Sequence, residues 1–258
     1  MELNGEDAMR IAGGLSMLEM TMPLGYGMCP VLVHDESDVV LFDAGLPGQL
    51  DVIRGAMKKE GVDFERLSAV LITHQDMDHI GSLSAIAKAS GGHVTVMAHR
   101  IEKPYIQFDC MPAKMSAERL AEKAKEFKEQ TGVEVPVPVT LAGVRILFSD
   151  LISVVDAALE DGQELPFCGG IVAIHIPGHT PGHCCYYLKR YKMLVAGDAM
   201  NAENGRLVGP NPTYTKDMAQ ARASLAKLAA YDIQTVLCYH GGPVSGNIKE
   251  AIAGLASV

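Results

Sequence analysis

Residues 73–81 read Thr73-His74-Gln75-Asp76-Met77-Asp78-His79-Ile80-Gly81, directly after the apolar run Ala69-Val70-Leu71-Ile72. His74, Asp76, Asp78 and His79 place four potential metal-binding side chains within six residues. An ordinary solvated turn does not need that density of imidazole and carboxylate, which are ligands for borderline to hard divalent ions. The run before the stretch has the length of a buried strand. After it, "IGSLSAIAKAS" puts Leu83, Ile86 and Ala87 on one helical face, so the stretch is predicted to be a strand-to-helix loop.

Outward from that loop, strand and helix patterns alternate. "CPVLVHDESDVVLFDAG" (29–45) gives two β-rich runs around the polar turn Asp35-Glu36-Ser37-Asp38, a hairpin signal ending at Asp43-Ala44-Gly45. "PGQLDVIRGAMKKEG" (47–61) spaces Leu50, Ile53 and Met57 by three and four and stops at Gly61, as a helix does. "HVTVMAH" (93–99) reads as a strand. "SAERLAEKAKEFKEQTG" (116–132) reads as an amphipathic helix with Ser116 as N-cap and Leu120, Ala124 and Phe127 inward. In the second half "GGIVAIHIPG", "HCCYYLK", "KMLVAGD" and "IQTVLCYHG" are predicted strands, and "TKDMAQARASLAKLAAYD" and "GNIKEAIAGLA" predicted helices. No low-complexity linker or short-period repeat divides the chain. The expectation is therefore one α/β domain over 1–258, with two β-rich halves, outer helices, and 104–140 as a lid or pocket wall.

Composition narrows the function. The 258 residues are 48% hydrophobic, enough for a large core. A net charge of -9, with no run of Lys or Arg longer than two, argues against nucleic acid and against an anionic membrane surface as partners. The start "MELNGEDAMRIAGG" is acidic where a signal peptide is basic, and no stretch is long enough to span a bilayer, so the cytoplasm is the expected compartment. The six cysteines show no CxxC spacing and read as reduced, mostly buried thiols. The fourteen methionines read mostly as core filler.

Among the nine histidines, His179 lies in "IPGHTPGH" and His240 in "CYHGG", each following a predicted strand; Asp198 in "VAGDA" ends another. Four strand ends thus offer imidazole or carboxylate to one common rim. Seven such groups suit two divalent ions. His74, Asp76 and His179 would hold one, Asp78, His79 and His240 the other, with Asp198 between them and a hydroxide bridging ions about 3.5–4 Å apart. His34, His93, His99 and His175 read as surface or core hydrogen-bonding groups.

In order along the chain, "HQDMDH", "GHTPGH", "AGDA" and "YHGG" resemble the motifs of the metallo-β-lactamase-fold superfamily, over a span from about residue 28 to the C-terminus. The resemblance implies a four-layer αβ/βα sandwich, two mixed β-sheets with external helices, and metals at one edge of the sheets. It also implies that Asp43 in "LFDAG" supports the metal loops; His183, in the same turn as His179, is read as a supporting or structural group. One position departs from the H-x-H-x-D-H pattern: Asp76 stands where the second histidine is usual. Asp76 can ligate directly, or accept a hydrogen bond that orients an imidazole. Zinc is the first expectation for the two ions, and the harder oxygen donor also admits iron or manganese.

The resemblance implies a small metallohydrolase similar to acyl-homoserine lactone lactonase-like members, attacking an ester, lactone or thioester carbonyl of a small molecule with the bridging hydroxide. Asp78 would be catalytic, orienting that hydroxide and carrying a proton to the leaving group. The lactonases often carry a tyrosine shortly after the bridging aspartate; this chain has Asn201 there. Tyr26, Tyr105, Phe108, Asn201 and Tyr214 are the expected substrate contacts. Two other readings stay open. A carboxylate at the second motif position is also found, as glutamate, in flavodiiron proteins, which implies a di-iron redox protein without its flavodoxin domain. The third reading is a non-catalytic binding module held together by metal. A homodimer through apolar residues around the lid is the expected assembly.

Overall fold

Alternate residues along a strand point to opposite faces, so a strand that is apolar at every position has to be covered twice. That condition organises the molecule. In the computed structural model, described for residues 7–21, 27–114, 121–122, 125, 128–129, 132 and 140–257, strand parity assigns each side chain to one of two layers. Val40 and Phe42 face a central cluster, whereas Val39 and Leu41 face an outer one; Ala69 and Leu71 against Val70 and Ile72 repeat the division. In the second half Ile171 and Ala173 join the central cluster, and Val172 and Ile174 a third. Cys184 and Cys185 are split the same way, which puts the adjacent thiols on opposite faces. All six cysteines are free.

The first sheet holds β1 (Asp7–Ala12), β2 (Leu15–Thr21), β4 (Val31–His34), β5 (Val39–Phe42), β6 (Ala69–Ile72), β7 (Thr95–His99) and β8 (Ala157–Leu159), in that order, with β3 (Gly27–Met28) paired to β2. Its β5 to β8 pairings are parallel and the earlier ones antiparallel. The second sheet comprises β9 (Glu164–Leu165), β10 (Ile171–His175), β11 (Cys184–Leu188), β12 (Met193–Gly197), β15 (Thr235–Cys238) and β16 (Gly242–Ser245), ordered β16-β15-β12-β11-β10-β9. Only its β12–β15 pairing is parallel. A separate hairpin joins β13 (Asn201–Glu203) to β14 (Arg206–Val208).

Helices cover the outer faces. Ile53 and Met57 of α1 (Leu50–Lys59), Leu83 and Ile86 of α3 (Leu83–Ala89), Ile106 of α4 (Lys103–Ile106) and Val144 of α5 (Leu141–Leu147) pack on the first sheet. Leu225 of α6 (Met218–Leu225) and Ile248 and Ile252 of α7 (Ile248–Ala256) pack on the second. The short α2 (Met77–Ile80) belongs to the motif loop itself. The two mixed sheets packed face to face, with helices outside, form the four-layer αβ/βα sandwich.

Several details differ from the sequence expectation. A hairpin, β1–β2, precedes the first expected strand. The helix expected over 215–232 is α-helical only to Leu225 and continues as a 3₁₀ turn over Ala226–Ala230. Its start is fixed by Asp217, whose carboxylate accepts from the Gln220 N–H. Tyr26 and the positions that defined the helix over 116–132, Ser116, Leu120, Ala124 and Phe127, lie outside the described residues. Among the described residues no helix is long and apolar enough to cross a membrane.

Candidate metal centre

Four loops that follow β6, β10, β12 and β15 bring the seven sequence-nominated groups together. His179 Nε2 lies 3.2 Å from Asp76 Oδ2 and 3.3 Å from Asp198 Oδ2, and His74 Nε2 lies 3.3 Å from Asp76 Oδ2. On the other side His79 Nε2 is 3.2 Å from Asp198 Oδ1, while His240 Nε2 is 3.3 Å from Asp78 Oδ2 and 3.6 Å from Asp198 Oδ1. The donor atoms form three overlapping groups, His74–Asp76–His179, His74–His79–Asp198 and Asp78–His79–His240, each able to hold an ion. Asp198 reaches the two outer groups with different carboxylate oxygens.

Whether these residues suit metals can be tested on the polar atoms themselves. Among the described residues, the buried atoms His74 Nε2, His79 Nε2 and Asp198 Oδ1 have no aligned hydrogen-bond partner, although each has an oppositely charged atom nearby. Buried polar atoms left in this way are costly unless something binds them. Lone pairs that converge without facing a donor are what a cation requires, so the set fits divalent ions.

The far nitrogen of each imidazole is held. His79 Nδ1 lies 2.8 Å from Asp43 Oδ2, and His240 Nδ1 3.0 Å from the Gly27 carbonyl. His74 Nδ1 lies 2.9 Å from Thr73 Oγ1, which itself donates to Asp43 Oδ2 at 2.8 Å. His179 Nδ1 lies 3.2 Å from Thr215 Oγ1, which donates to the Asn211 carbonyl at 2.7 Å. Each hydroxyl has spent its proton elsewhere, so each imidazole donates from Nδ1 and keeps an Nε2 lone pair facing the centre. Asp43 also accepts from the Thr73 N–H at 2.8 Å. It therefore orients His79 directly and His74 through one hydroxyl.

Charge inside the centre is strongly perturbed. Burial alone would raise the Asp198 carboxyl, but His79, His179 and His74 outweigh it and hold it well below the usual carboxylate range. Burial works against the His79 imidazolium, yet Asp78, Asp43 and Asp198 raise it well above its ordinary value. Burial and then His79 push His74 down to about 4. A divalent ion at His79 Nε2 would need the neutral imidazole, so its binding would weaken as the pH falls.

Further residues build the centre from behind. His183 Nε2 accepts from the Asp198 N–H at 3.0 Å. Gly197, at φ 51°, lets the chain pass close beneath: a Cβ there would fall 2.7 Å from His183 Nε2 and 2.8 Å from Thr73 Cβ. The Tyr239 ring lies 4.0 Å from His79, and its hydroxyl donates to the Asp78 carbonyl at 2.5 Å. Glu102, fully buried, accepts from Gln75 N and Nε2 at 3.0 Å each, from Thr180 Oγ1 at 2.6 Å and from Gly182 N at 2.8 Å. It ties the motif loop to the His179 loop. Burial raises its carboxyl to about 6. Lys114 Nζ donates to Asp76 Oδ2 and lies 2.7 Å from His179 Nε2. Sequence reasoning singled out neither Glu102 nor Lys114, because a lone charged residue in a loop carries no spacing signal.

A cleft of about 1120 Å³ opens at the centre and reaches Asp76, Asp78, Asp198 and His240. Its far wall is the β13–β14 hairpin and the turn after it, so Asn201 and Tyr214 line it. Tyr105 and Phe108 do not. Phe108, with φ 51°, turns into the core and stacks on Phe148 at 6.0 Å, leaving it 3% exposed.

The sandwich and the centre define a class, and the sequence agrees: the family model of the metallo-β-lactamase superfamily matches residues 25–240, and the chain belongs to that superfamily. Among its relatives is YflN of Bacillus subtilis, named a probable metallo-hydrolase, 30% identical over 241 residues that cover 88% of this chain and 84% of YflN. The hydroxyacylglutathione hydrolase of Pseudomonas paraeruginosa is 31% identical over 192 residues, 73% of this chain and 52% of that protein, so the chain matches about half of its length. A metallo-β-lactamase family protein from Thermus thermophilus superposes with a TM-score of 0.67 at 22% identity, covering 96% of this chain and 80% of its own, a likeness of fold.

Proposed function

We propose that the protein is a metal-dependent hydrolase of small-molecule carboxylic esters, lactones or thioesters, with His74, Asp76 and His179 at one metal position, Asp78, His79 and His240 at the other, and Asp198 shared. One observation carries this reading. Oriented imidazoles and carboxylates from four strand ends converge on the floor of an open cleft, and among the described residues His74 Nε2, His79 Nε2 and Asp198 Oδ1 have no hydrogen-bond partner there. A purely structural metal site closes its coordination with four protein ligands and needs no cleft. When bound, divalent ions supply Lewis acidity at a carbonyl oxygen and acidify water.

The chain's own groups do the rest. Asp78 lines the cleft, with Oδ2 3.3 Å from His240 Nε2, and is placed to take a proton from the nucleophile and return it to the leaving group. Leu46, Met77, Val208 and Met218 give the cleft apolar walls suited to an acyl or alkyl substituent. Asn201, whose Oδ1 has no partner among the described residues, offers a polar contact beside them, and Tyr214 another. The name of the hydroxyacylglutathione hydrolase relatives describes cleavage of a thioester, which puts thioesters among the first substrates to test.

The test is a panel of lactones, thioesters, aryl esters and phosphoesters assayed on metal-loaded protein, with Asp198→Ala as control. Turnover of a carbonyl substrate, lost in the control, is the expected result; phosphoester turnover alone contradicts it. Asp76 favours one other reading, a di-iron redox centre, because a carboxylate is a harder donor than imidazole. Oxygen consumption with a reductant, without hydrolysis, would favour that reading.

A further inference from the structure

The two outer ligand groups are not equivalent. Among the described residues, Asp78 and Asp198 pair only with imidazoles. Asp76 pairs with an ammonium: Lys114 Nζ donates to Asp76 Oδ2 and sits 2.7 Å from His179 Nε2. These are two of the three donor atoms of the His74–Asp76–His179 group. The lysine therefore occupies the lone pairs that a metal ion would use there.

Its placement is built. Ala113 N–H donates to Gln75 Oε1 at 2.6 Å. The other end of that amide, Gln75 Nε2, donates to Glu102 Oε2 at 3.0 Å, and Glu102 in turn holds the His179 loop through Thr180 and Gly182. The residue between His74 and Asp76 thus pins the backbone next to Lys114, and the Lys114 side chain is only 15% exposed. The unusual Asp76 completes the arrangement. A carboxylate attracts an ammonium, whereas the usual histidine offers a neutral ring with one lone pair.

We propose that Lys114 is a resident counter-cation of the His74–Asp76–His179 position, competing there with a divalent ion, so that the Asp78–His79–His240 position loads first and holds its ion more tightly. Two cations cannot share the Asp76 and His179 lone pairs, and a metal entering this position must displace the ammonium. Among the described residues the second position has no such competitor. This inference rests on reading the cluster as a metal centre.

Zinc alone is a sufficient probe. Metal-stripped protein is titrated with zinc against a chromophoric chelator, and bound zinc is counted by elemental analysis after equilibrium dialysis. The wild type is expected to bind one equivalent roughly tenfold or more tightly than the second, the scale of a charge-assisted contact that must be broken. Lys114→Met should tighten the second equivalent until the two nearly match, while Lys114→Arg, which keeps a cation, should preserve the gap. His240→Ala should abolish the tight equivalent and His179→Ala should spare it. Melting curves in chelator check that each variant is folded. The inference is overturned if Lys114→Met leaves the second equivalent unchanged or weaker, or if His179→Ala removes the tight one. Two equal equivalents in the wild type overturn it alone, whereas no bound zinc at all overturns the metal reading with it.

Discussion

Asp43 shows how much of the centre hangs on one side chain. It sits at the end of β5 with φ 62°, a left-handed conformation that disfavours most residues, and its carboxylate accepts from Thr73 and from His79. Asp43→Ala should lower metal affinity by roughly 10–100-fold with the ligands themselves untouched, as measured by chelator competition. A second prediction concerns the His99–His175 stack, 4.1 Å between centroids and outside the ligand set. Burial, then His175 and Arg100, push the His99 imidazole down from 6.5 to about 4, against opposing pulls from Glu160 and Asp161. Its folded pKa is below its unfolded one, so its contribution is complete above pH 6.5 and is lost as pH falls toward 4. Urea unfolding of metal-stripped protein should lose on the order of 1–2 kcal/mol over that interval from this group. His99→Gln should flatten the loss.

At the scale of elements, the loop after β10 is held by contact with a helix. Gly178 has φ 136°, and a Cβ there would lie 2.2 Å from the backbone nitrogen of Ala221 in α6. Gly178→Ala should cost more than about 2 kcal/mol in unfolding free energy. Because His179 follows directly, the same change should weaken zinc binding. The element pattern also shows what a sequence can disclose. β5, β6, β10, β11 and β12 are legible because double burial makes them unbroken apolar runs. β8, β9, β13 and β14 are two or three residues long, too short for any period to register. β16 includes Pro243, which a strand accepts at a sheet edge and a sequence pattern counts against it. In the centre the residues that converge are legible from residue type and motif order. Glu102 and Lys114 are not, since their roles come from contacts with residues 27 to 80 positions away. Phe108 is buried away from the cleft, and aromatic character alone does not reveal which way a left-handed backbone turns a side chain.

For the whole molecule, the centre is a junction. His74, Asp76, Asp78 and His79 follow a strand of the first sheet, and His179, Asp198 and His240 follow strands of the second. Saturating zinc at about 100 times its dissociation constant should add about 2.7 kcal/mol per site, which predicts a melting midpoint roughly 5–10 °C higher than in chelator. Equal midpoints would contradict a metal centre. The division of ligands between the sheets also bears on kinetics. Neither half of the chain carries the whole candidate cluster, and the closing contacts join residues as distant as Asp78 and His240. Such long-range contacts come late, after the sheets have paired. Metal should therefore find no assembled site in the folding transition state, and its stabilisation should appear almost wholly as slower unfolding. Refolding rates measured with and without zinc are expected to coincide, while the lifetime of the native state lengthens with the free metal concentration.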